Sequence, residues 1–195
     1  GTSPQAGINF EPYKTYHYIN NVYIDGCLFK GNTGYGILIA KAVAIATQNE
    51  DMYMEISDCT FDGNDFVISN FKEGCNGEIK LNNPIFKNCR IRRNFTSNRF
   101  PKLSINDATM INPCYGKESG TEFDKAPILV YNLAGDTRAV PDGTGNIEVN
   151  GLRIFETTNV ATASFYFYDN ASNEFYDVYL SNIKKYVPNG YYGSN

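Results

Sequence analysis

Histidine, long apolar runs and clustered basic residues are scarce or missing in this sequence of 195 residues. His17 is the only histidine, and in the aromatic stretch YKTYHYIN a packing role is favoured over a catalytic one. No apolar run approaches the roughly 20 residues that span a bilayer, so no membrane partner is expected. The net charge of -4 argues against a phosphate-binding surface, and therefore against a nucleic-acid partner.

The cysteines lack metal-binding spacing. An odd number without a C-x-x-C pair indicates neither a zinc site nor a complete disulfide framework, and no cofactor is expected. Most are expected to be small core residues, whereas Cys75 lies in the polar stretch KEGCNGE, where a buried and an exposed position are equally compatible with the sequence. The five are Cys27, Cys59, Cys75, Cys89 and Cys114.

Strand and turn formers are abundant. The chain has 15 Tyr, 13 Phe and 17 Gly, so strands and turns are expected and long helices are not. Residues 20–40, NNVYIDGCLFKGNTGYGILIA, contain three apolar-alternating segments separated by turn residues but no hairpin signal. We expect one domain over residues 1–195, and the start so close to a strand suggests a fragment of a longer protein.

A repeat accounts for this pattern. Each copy has two apolar residues at positions i and i+2 with mostly polar neighbours, which is typical of a strand with one buried face. After two turn residues a second apolar pair follows, such as Cys27 and Phe29 or Cys59 and Phe61. The six copies are NVYIDGCLF (21–29), YMEISDCTF (53–61), EIKLNNPIF (78–86), KLSINDATM (102–110), NIEVNGLRI (146–154) and YDVYLSNIK (176–184).

A third short strand is predicted for each copy. These segments are 7–12, 35–40, 65–69, 89–93, 126–131 and 164–169. Three short strands per circuit without a reversal predict an all-β, right-handed, single-stranded parallel β-helix of about six rungs with three short parallel sheets. Matching side chains should then stack, with Asn32 over Asn64 at a corner where asparagine tolerates the left-handed conformation. A β-sandwich or jelly roll is the alternative.

The phrases GINFEP and INNVYIDGCLFKGNTGYGILI resemble the pectin-lyase-like superfamily of right-handed parallel β-helices, and the pattern extends over essentially the whole chain. The resemblance implies action on, or binding of, long acidic or neutral polysaccharides. The Asn-Thr-Asp, Asp-Asp and Gly-His-Gly phrases of polygalacturonase-like members are absent from the sequence, as is a pectate-lyase-like aspartate cluster. Whether the chain is an enzyme therefore stays open; an active one would be a polysaccharide lyase or glycoside hydrolase.

The candidate substrate-binding residues lie on the outward side of the third strand of each copy. One predicted row mixes carboxylate, guanidinium and phenol groups, which suits sugar rings. It contains Glu11, Ala40, Ser69, Arg92, Tyr131 and Tyr168. A second row is largely apolar, and we expect residues 112–125 or 132–145, or a partner subunit, to cover it. It contains Asn9, Leu38, Val67, Leu129 and Tyr166.

Individual members of this surface have competing roles. Glu11 is the best acid candidate, but a structural or ligand-contacting role is favoured because no second carboxylate is evident nearby. Arg90, Arg92 and Arg93 share one rung, where solvated charge is favoured over a cradle for a uronate carboxylate.

Two hypotheses of function follow. In the first, the chain is an extracellular, cell-surface or virion-surface domain whose partner is a polysaccharide held along the side of the coil. In the second, it is a non-catalytic stalk or adhesin module, in which the apolar row makes the contacts of a trimer.

Overall fold

A computed structural model describes residues 6–10, 19–40, 51–71, 76–95, 102–116, 125–132, 146–157, 164–169 and 177–187. Across these ranges the chain forms β-strands and no α-helix, so the prediction of an all-β fold is confirmed. Correspondingly, the same ranges hold no helix of the length and apolarity needed to cross a membrane.

The strands form two sheets. The six-stranded sheet has the order β1-β4-β7-β10-β12-β14. Its strands are β1 (Ala6–Phe10), β4 (Tyr35–Ala40), β7 (Asp65–Phe71), β10 (Ile91–Phe95), β12 (Ile128–Asn132) and β14 (Phe165–Asp169). The nine-stranded sheet follows the path β2-β5-β8-β11-β9-β6-β3, and β13 and β15 are added beyond β11. Its strands are β2 (Val22–Asp25), β3 (Leu28–Lys30), β5 (Asp51–Ser57), β6 (Thr60–Asp62), β8 (Asn76–Asn82), β9 (Ile85–Lys87), β11 (Lys102–Ile111), β13 (Ile147–Phe155) and β15 (Val178–Tyr186).

The chain alternates between these sheets, and each strand pairs with its equivalents one circuit before and after. Every pairing among the described strands is parallel. Parallel neighbours require a crossover between them, and here the crossover is the rest of the circuit. The arrangement is compatible with the predicted coil, and the described strands contain none of the antiparallel pairings of a sandwich.

The predicted register is confirmed in the nine-stranded sheet. Ile24 pairs with Ile56, Ile56 with Leu81, and Ile105 with both Leu81 and Val149. The second apolar position of each copy behaves in the same way, since Phe61 pairs with Phe29 and Phe86. The alternation of apolar and polar residues therefore fixed the register, because a slip of one residue would turn the apolar set outward.

The prediction of three short sheets is wrong. Two of the three predicted sheets are parts of the single nine-stranded sheet. The strands β11, β13 and β15 each continue without interruption from one of these parts into the other. The backbone also keeps its inter-circuit bonds at the bend: the Gly26 N–H donates to the Ser57 carbonyl, and the Asp58 N–H to the Asn82 carbonyl. We call the part containing β2, β5 and β8 the first half of this sheet, and the part containing β3, β6 and β9 the second half.

The bend between the two halves depends on a left-handed residue in every copy. Residues at this position have φ between 50° and 79°, a region that glycine, asparagine and aspartate adopt at low cost. They are Gly26, Asp58, Asn83, Asp107, Gly151 and Asn182. A second left-handed row follows the second half and contains Gly31, Gly63, Asn88 and Asn112. Asn32 and Asn64, which were assigned that conformation, each follow the left-handed residue instead.

Asn32 and Asn64 nevertheless stack as predicted. Asn64 is 1% exposed; its Nδ2 donates to the carbonyls of Asn32 (2.8 Å) and Gly34 (3.2 Å). Its Oδ1 accepts bonds from the backbone N–H and the Nδ2 of Asn32. One buried amide thus satisfies two backbone carbonyls and a backbone N–H at the corner, which would otherwise be costly to bury.

Apolar side chains fill the space between the sheets. The rings of Phe29, Phe61 and Phe86 form an in-register stack, with centroid distances of 4.9 and 4.8 Å and interplanar angles of 17° and 10°. Phe61 and Phe86 are fully buried. Cys59 and Cys89 are buried, but Cys27 is exposed, contrary to the expectation of a core position. The reason is that Cys27 lies beside β3, the outermost strand of the second half.

The six-stranded sheet is covered on both sides at its centre. Val67 and Leu129 occupy the outward apolar row, yet they are 2% and 3% exposed. Atoms of this same chain bury them. Pro113 and Cys114, which begin one of the two insertions expected to cover this row, are also buried. This explains why these strands have apolar residues at consecutive positions.

Candidate functional site

The predicted row of binding residues is only partly described. Glu11 lies outside the described residues, as do His17 and Cys75. Ser69, Tyr131 and Tyr168 have described backbones, but their side chains are not part of the description. Their backbones are placed as predicted: Ser69 pairs with Ala40, and Tyr131 with Tyr168.

Arg92 belongs to the other outward row. It pairs with Val67 on one side and Leu129 on the other, whereas the position aligned with Tyr131 is Asn94. The sequence alignment was off by two residues here, because CRIRR lacks the apolar pair that marks the other copies. The row is therefore Asn9, Leu38, Val67, Arg92, Leu129 and Tyr166. Asn9 is exposed, and Arg92 and Tyr166 are partly buried.

Two arginines of this rung, Arg90 and Arg92, lie close to Asp65. The backbone N–H of Arg90 donates to Asp65 Oδ1 at 2.8 Å, and its Nη2 lies 3.4 Å from Oδ2. Arg92 Nη1 lies 3.9 Å from the same oxygen. Arg90 is only 3% exposed, so the interpretation of it as solvated charge is wrong. An Arg90 held in this way fixes the corner before β10 and is not available to cradle a ligand.

Further buried groups lie close to Arg90. Glu156 is 1% exposed, and Cys114 is fully buried. Burial raises the pKa of the Cys114 thiol to about 12, while the nearby positive charge of Arg90 lowers it and Glu156 raises it. This buried polar cluster was not predictable from the sequence, because Asp65, Arg90, Cys114 and Glu156 come from four separate circuits.

Among the described residues, an extended polar surface lies on the outward side of the first half of the nine-stranded sheet. We call it the polar face. Its central row contains Tyr23, Glu55, Lys80, Ser104, Glu148 and Tyr179. The row beside it contains Asp25, Ser57, Asn82, Asn106, Asn150 and Ser181. A shorter row on the other side contains Tyr53, Glu78, Lys102 and Asp177, the residue that precedes β15 and accepts a hydrogen bond from the Tyr179 hydroxyl. The sequence predicted the first two rows as the outward, mostly polar neighbours of the apolar pairs, but no role was assigned to them.

Hydrogen bonds between circuits hold the polar side chains in place. Asn82 Nδ2 donates to Glu55 Oε1 at 2.9 Å, and Asn106 Nδ2 donates to Asn82 Oδ1 at 3.0 Å. The Ser104 hydroxyl donates to Glu78 Oε1 at 2.6 Å. Such rows order side chains that would be mobile on an isolated strand, so less entropy is lost if a ligand binds to them.

Two lysines form ion pairs with carboxylates of the polar face, Lys80 within its own strand and Lys102 with both neighbouring strands. Lys80 Nζ lies 3.3 Å from Glu78 Oε2, and Lys102 Nζ lies between Glu78 and Glu148. The hydrogen bond and charge of Glu78 raise the pKa of Lys80, which therefore stays protonated at neutral pH. The described side chains of the polar face carry five carboxylates (Asp25, Glu55, Glu78, Glu148, Asp177) and two ammonium groups (Lys80, Lys102), so 2 - 5 = -3.

Exposed tyrosines lie at both ends of the polar face. Tyr23 is 66% exposed, and its ring centroid lies 5.9 Å from that of Tyr53. Lys80 Nζ lies 5.5 Å from the Tyr53 ring, whose hydroxyl donates to Glu55 at 2.9 Å. This hydrogen bond raises the pKa of the Tyr53 phenol. Tyr179, 56% exposed, lies five strand spacings from Tyr23, or about 24 Å.

Chemically, this surface offers ring platforms and hydrogen-bond donors and acceptors over an extended length. Within the described ranges, no three His, Cys, Asp or Glu side chains group together as metal ligands.

In comparisons with known proteins, no family model, no curated protein and no solved structure matches this chain.

Proposed function

We propose that the chain is a right-handed, single-stranded parallel β-helix of the pectin-lyase-like kind with about six circuits. The support is the strictly parallel, in-register pairing of successive circuits, together with a left-handed residue at the same position of all six copies. In such a coil, equivalent side chains of successive circuits are about 4.8 Å apart, so each outward row forms a straight, regularly spaced line.

We further propose that the chain is an extracellular, cell-surface or virion-surface domain that binds a polysaccharide along the polar face. The observation that carries this proposal is the run of ordered hydrogen-bonding side chains that ends at an exposed tyrosine on each side, Tyr23 and Tyr179, with the partly buried Tyr53 beside Tyr23. Tyrosine rings stack on the C–H faces of sugars, and carboxylates and amides form hydrogen bonds with the sugar hydroxyls. The length of about 24 Å suits an extended chain better than a single sugar.

The charge of the face favours a neutral polysaccharide over a polyuronate. Five carboxylates against two lysines create a negative potential that repels an anionic chain, and at physiological salt this repulsion reaches about 8 Å. Of the acidic and neutral glycans that the resemblance implies, the charge of the polar face therefore favours the neutral ones. On the six-stranded sheet, by contrast, burial of Val67 and Leu129 leaves less open surface for a sugar.

The test is a thermal-shift screen of the protein against neutral and acidic polysaccharides at constant ionic strength. A neutral glycan at 100 times its dissociation constant should stabilise the protein by about 2.7 kcal/mol. Tyr23→Ala should weaken this binding tenfold or more, because a ring contact is lost. Tyr115→Ala is the matched control, since Tyr115 is 59% exposed outside the polar face. No stabilisation by any glycan of the panel would contradict the proposal.

Turnover is tested separately. An enzyme of this kind would release reducing ends as a hydrolase, or unsaturated ends as a lyase, and the same panel can be assayed for both. General acid catalysis would require two carboxyl groups about 5 to 9 Å apart. The polar face has five described carboxylates, of which Glu55 is held by hydrogen bonds from Tyr53, Ser57 and Asn82.

The second candidate is a non-catalytic stalk or adhesin module. The observation that favours it is the exposed end of the core at β15, where Leu180 occupies an inward position but is 45% exposed. A further circuit or another subunit could continue the coil there. Trimers in analytical ultracentrifugation, together with a flat glycan screen, would favour this candidate over glycan binding.

A further inference from the structure

Two cysteines lie beside each other on consecutive circuits. Cys27 lies two residues before Phe29, and Cys59 lies two residues before Phe61. The two phenylalanines pair with each other in the sheet. The Thr60 N–H donates to the Cys27 carbonyl at 2.8 Å, so the two cysteine backbones are direct neighbours in the nine-stranded sheet. Neighbouring strands are about 4.8 Å apart, which lies within the 4.4 to 6.8 Å between Cα atoms that a disulfide spans.

The sulfur of Cys59 is directed toward the first circuit. Cys59 Sγ accepts a hydrogen bond from the Cys27 N–H at 3.4 Å and lies 3.7 Å from the Ile24 carbonyl. Because the nitrogen and Cβ of Cys27 are bonded to the same Cα, this sulfur already lies next to the base of the Cys27 side chain. Cys27 is exposed, and its Sγ contacts the Asp25 carbonyl at 3.4 Å. To bond with Cys59, this sulfur has to leave its contact with Asp25 by rotation about the Cα–Cβ bond of Cys27.

We propose that Cys27 and Cys59 form a disulfide that joins the first two circuits when a small disulfide such as oxidised glutathione is the oxidant. The exposed Cys27 thiolate attacks the small disulfide, which gives a mixed disulfide and releases one thiolate. The Cys59 thiolate then attacks the Cys27 sulfur and releases the second. Two protein thiols lose two electrons and two protons, and one small disulfide gains them as two thiols.

The other described cysteines do not compete for this role. Cys89 is buried, and its thiol donates to the Phe61 carbonyl at 3.3 Å. Burial raises the pKa of Cys89, like that of Cys114, to about 12, so both stay as unreactive thiols near neutral pH. Burial also raises the pKa of Cys59, which agrees with Cys27 reacting first.

The disulfide would connect residues 32 positions apart and tie the outer circuit, with β2 and β3, to the next one. Closing a loop of this length removes conformational entropy from the unfolded chain, and the expected effect is a melting temperature higher by roughly 5 °C or more. The inference does not depend on glycan binding.

The experiment compares reduced protein with protein incubated with oxidised glutathione. Trypsin cleaves after Lys30 and Lys41, which separates the two cysteines, so a disulfide appears as one linked peptide under non-reducing conditions. We expect a Cys27–Cys59 linked peptide and a higher melting temperature that a reductant reverses. Cys27→Ser should abolish both, and Cys75→Ser should change neither.

Three results would overturn the proposal. The first is glutathione remaining on Cys27 with no linked peptide, and the second is a linked peptide that joins Cys27 to Cys75. The third is a Cys27–Cys59 bond without any rise in melting temperature, which would remove the inferred stabilisation of the outer circuit.

Discussion

Replacing Phe61 with alanine removes the middle ring of the phenylalanine stack. Phe61 is fully buried between Phe29 and Phe86, and its ring also contacts the edge of Phe66 at 6.0 Å. Core Phe→Ala substitutions cost about 3 to 5 kcal/mol, and we expect a value in this range because the ordered sheets on either side limit collapse of the cavity. For a chain of this size the melting temperature should fall by roughly 6 to 20 °C.

The assay is urea unfolding followed by far-UV circular dichroism and by tyrosine fluorescence, since the chain has no tryptophan. Leu28→Ala is the matched control. Leu28 lies on β3 beside Phe29, but it is 64% exposed, so its loss should change the free energy of unfolding by no more than about 0.5 kcal/mol.

A double-mutant cycle tests the stack itself. Phe29→Leu and Phe61→Leu, made singly and together, should show a coupling of about 0.5 to 1.5 kcal/mol, because the two rings are in contact. A loss below about 1 kcal/mol for Phe61→Ala, or independent effects of the two leucine substitutions, would refute the in-register stacking of circuits.

Three further substitutions test other features of the coil. Arg90→Ala leaves Asp65 without its buried partner and should lower the free energy of unfolding by about 3 to 5 kcal/mol, whereas Lys30→Ala breaks a surface pair and should leave the urea midpoint almost unchanged. Asn64→Ala should cost about 1 to 3 kcal/mol in urea unfolding, because buried backbone groups at the corner lose their partners. Gly77→Ala, whose Cβ would lie 1.9 Å from the Met52 carbonyl oxygen, should unfold at lower urea than Gly26→Ala, where the added Cβ meets nothing within 4 Å.

Each of these has a clear contrary result. Equal losses for Arg90→Ala and Lys30→Ala would mean that the ion pair of Asp65 is not buried in solution. An unchanged midpoint for Asn64→Ala would contradict the amide stack, and equal midpoints for the two glycine variants would contradict the close approach of β5 and β8.

Much of the fold could be predicted from the sequence, because the information is local and repeated. Apolar pairs at i and i+2 recur in every copy. Because a slip of one residue would turn the apolar side chains outward, the pattern alone predicts the correct alignment of Ile24, Ile56 and Leu81. The number of sheets was not predictable in the same way. A left-handed residue such as Asp107 interrupts the apolar pattern, but the backbone pairing continues past it.

The candidate site was harder to predict, for two physical reasons. Arg92 was assigned to the wrong row because its copy has no second apolar marker to fix the register. Glu156 and Arg90 come together only through the folding of separate circuits, and nothing in their neighbouring residues indicates burial. The polar face was visible in the sequence as polar alternation, but its hydrogen bonds depend on which circuits become neighbours.

Hydroxyl-radical footprinting of the tyrosines, with and without a saturating neutral polysaccharide from the screen, locates the bound ligand directly. The account predicts that oxidation of Tyr23, Tyr53 and Tyr179 falls severalfold while that of Tyr115 stays constant, because only the first three line the polar face. Protection of Tyr166 with no change at Tyr23 and Tyr53 would place the glycan on the six-stranded sheet and contradict the account.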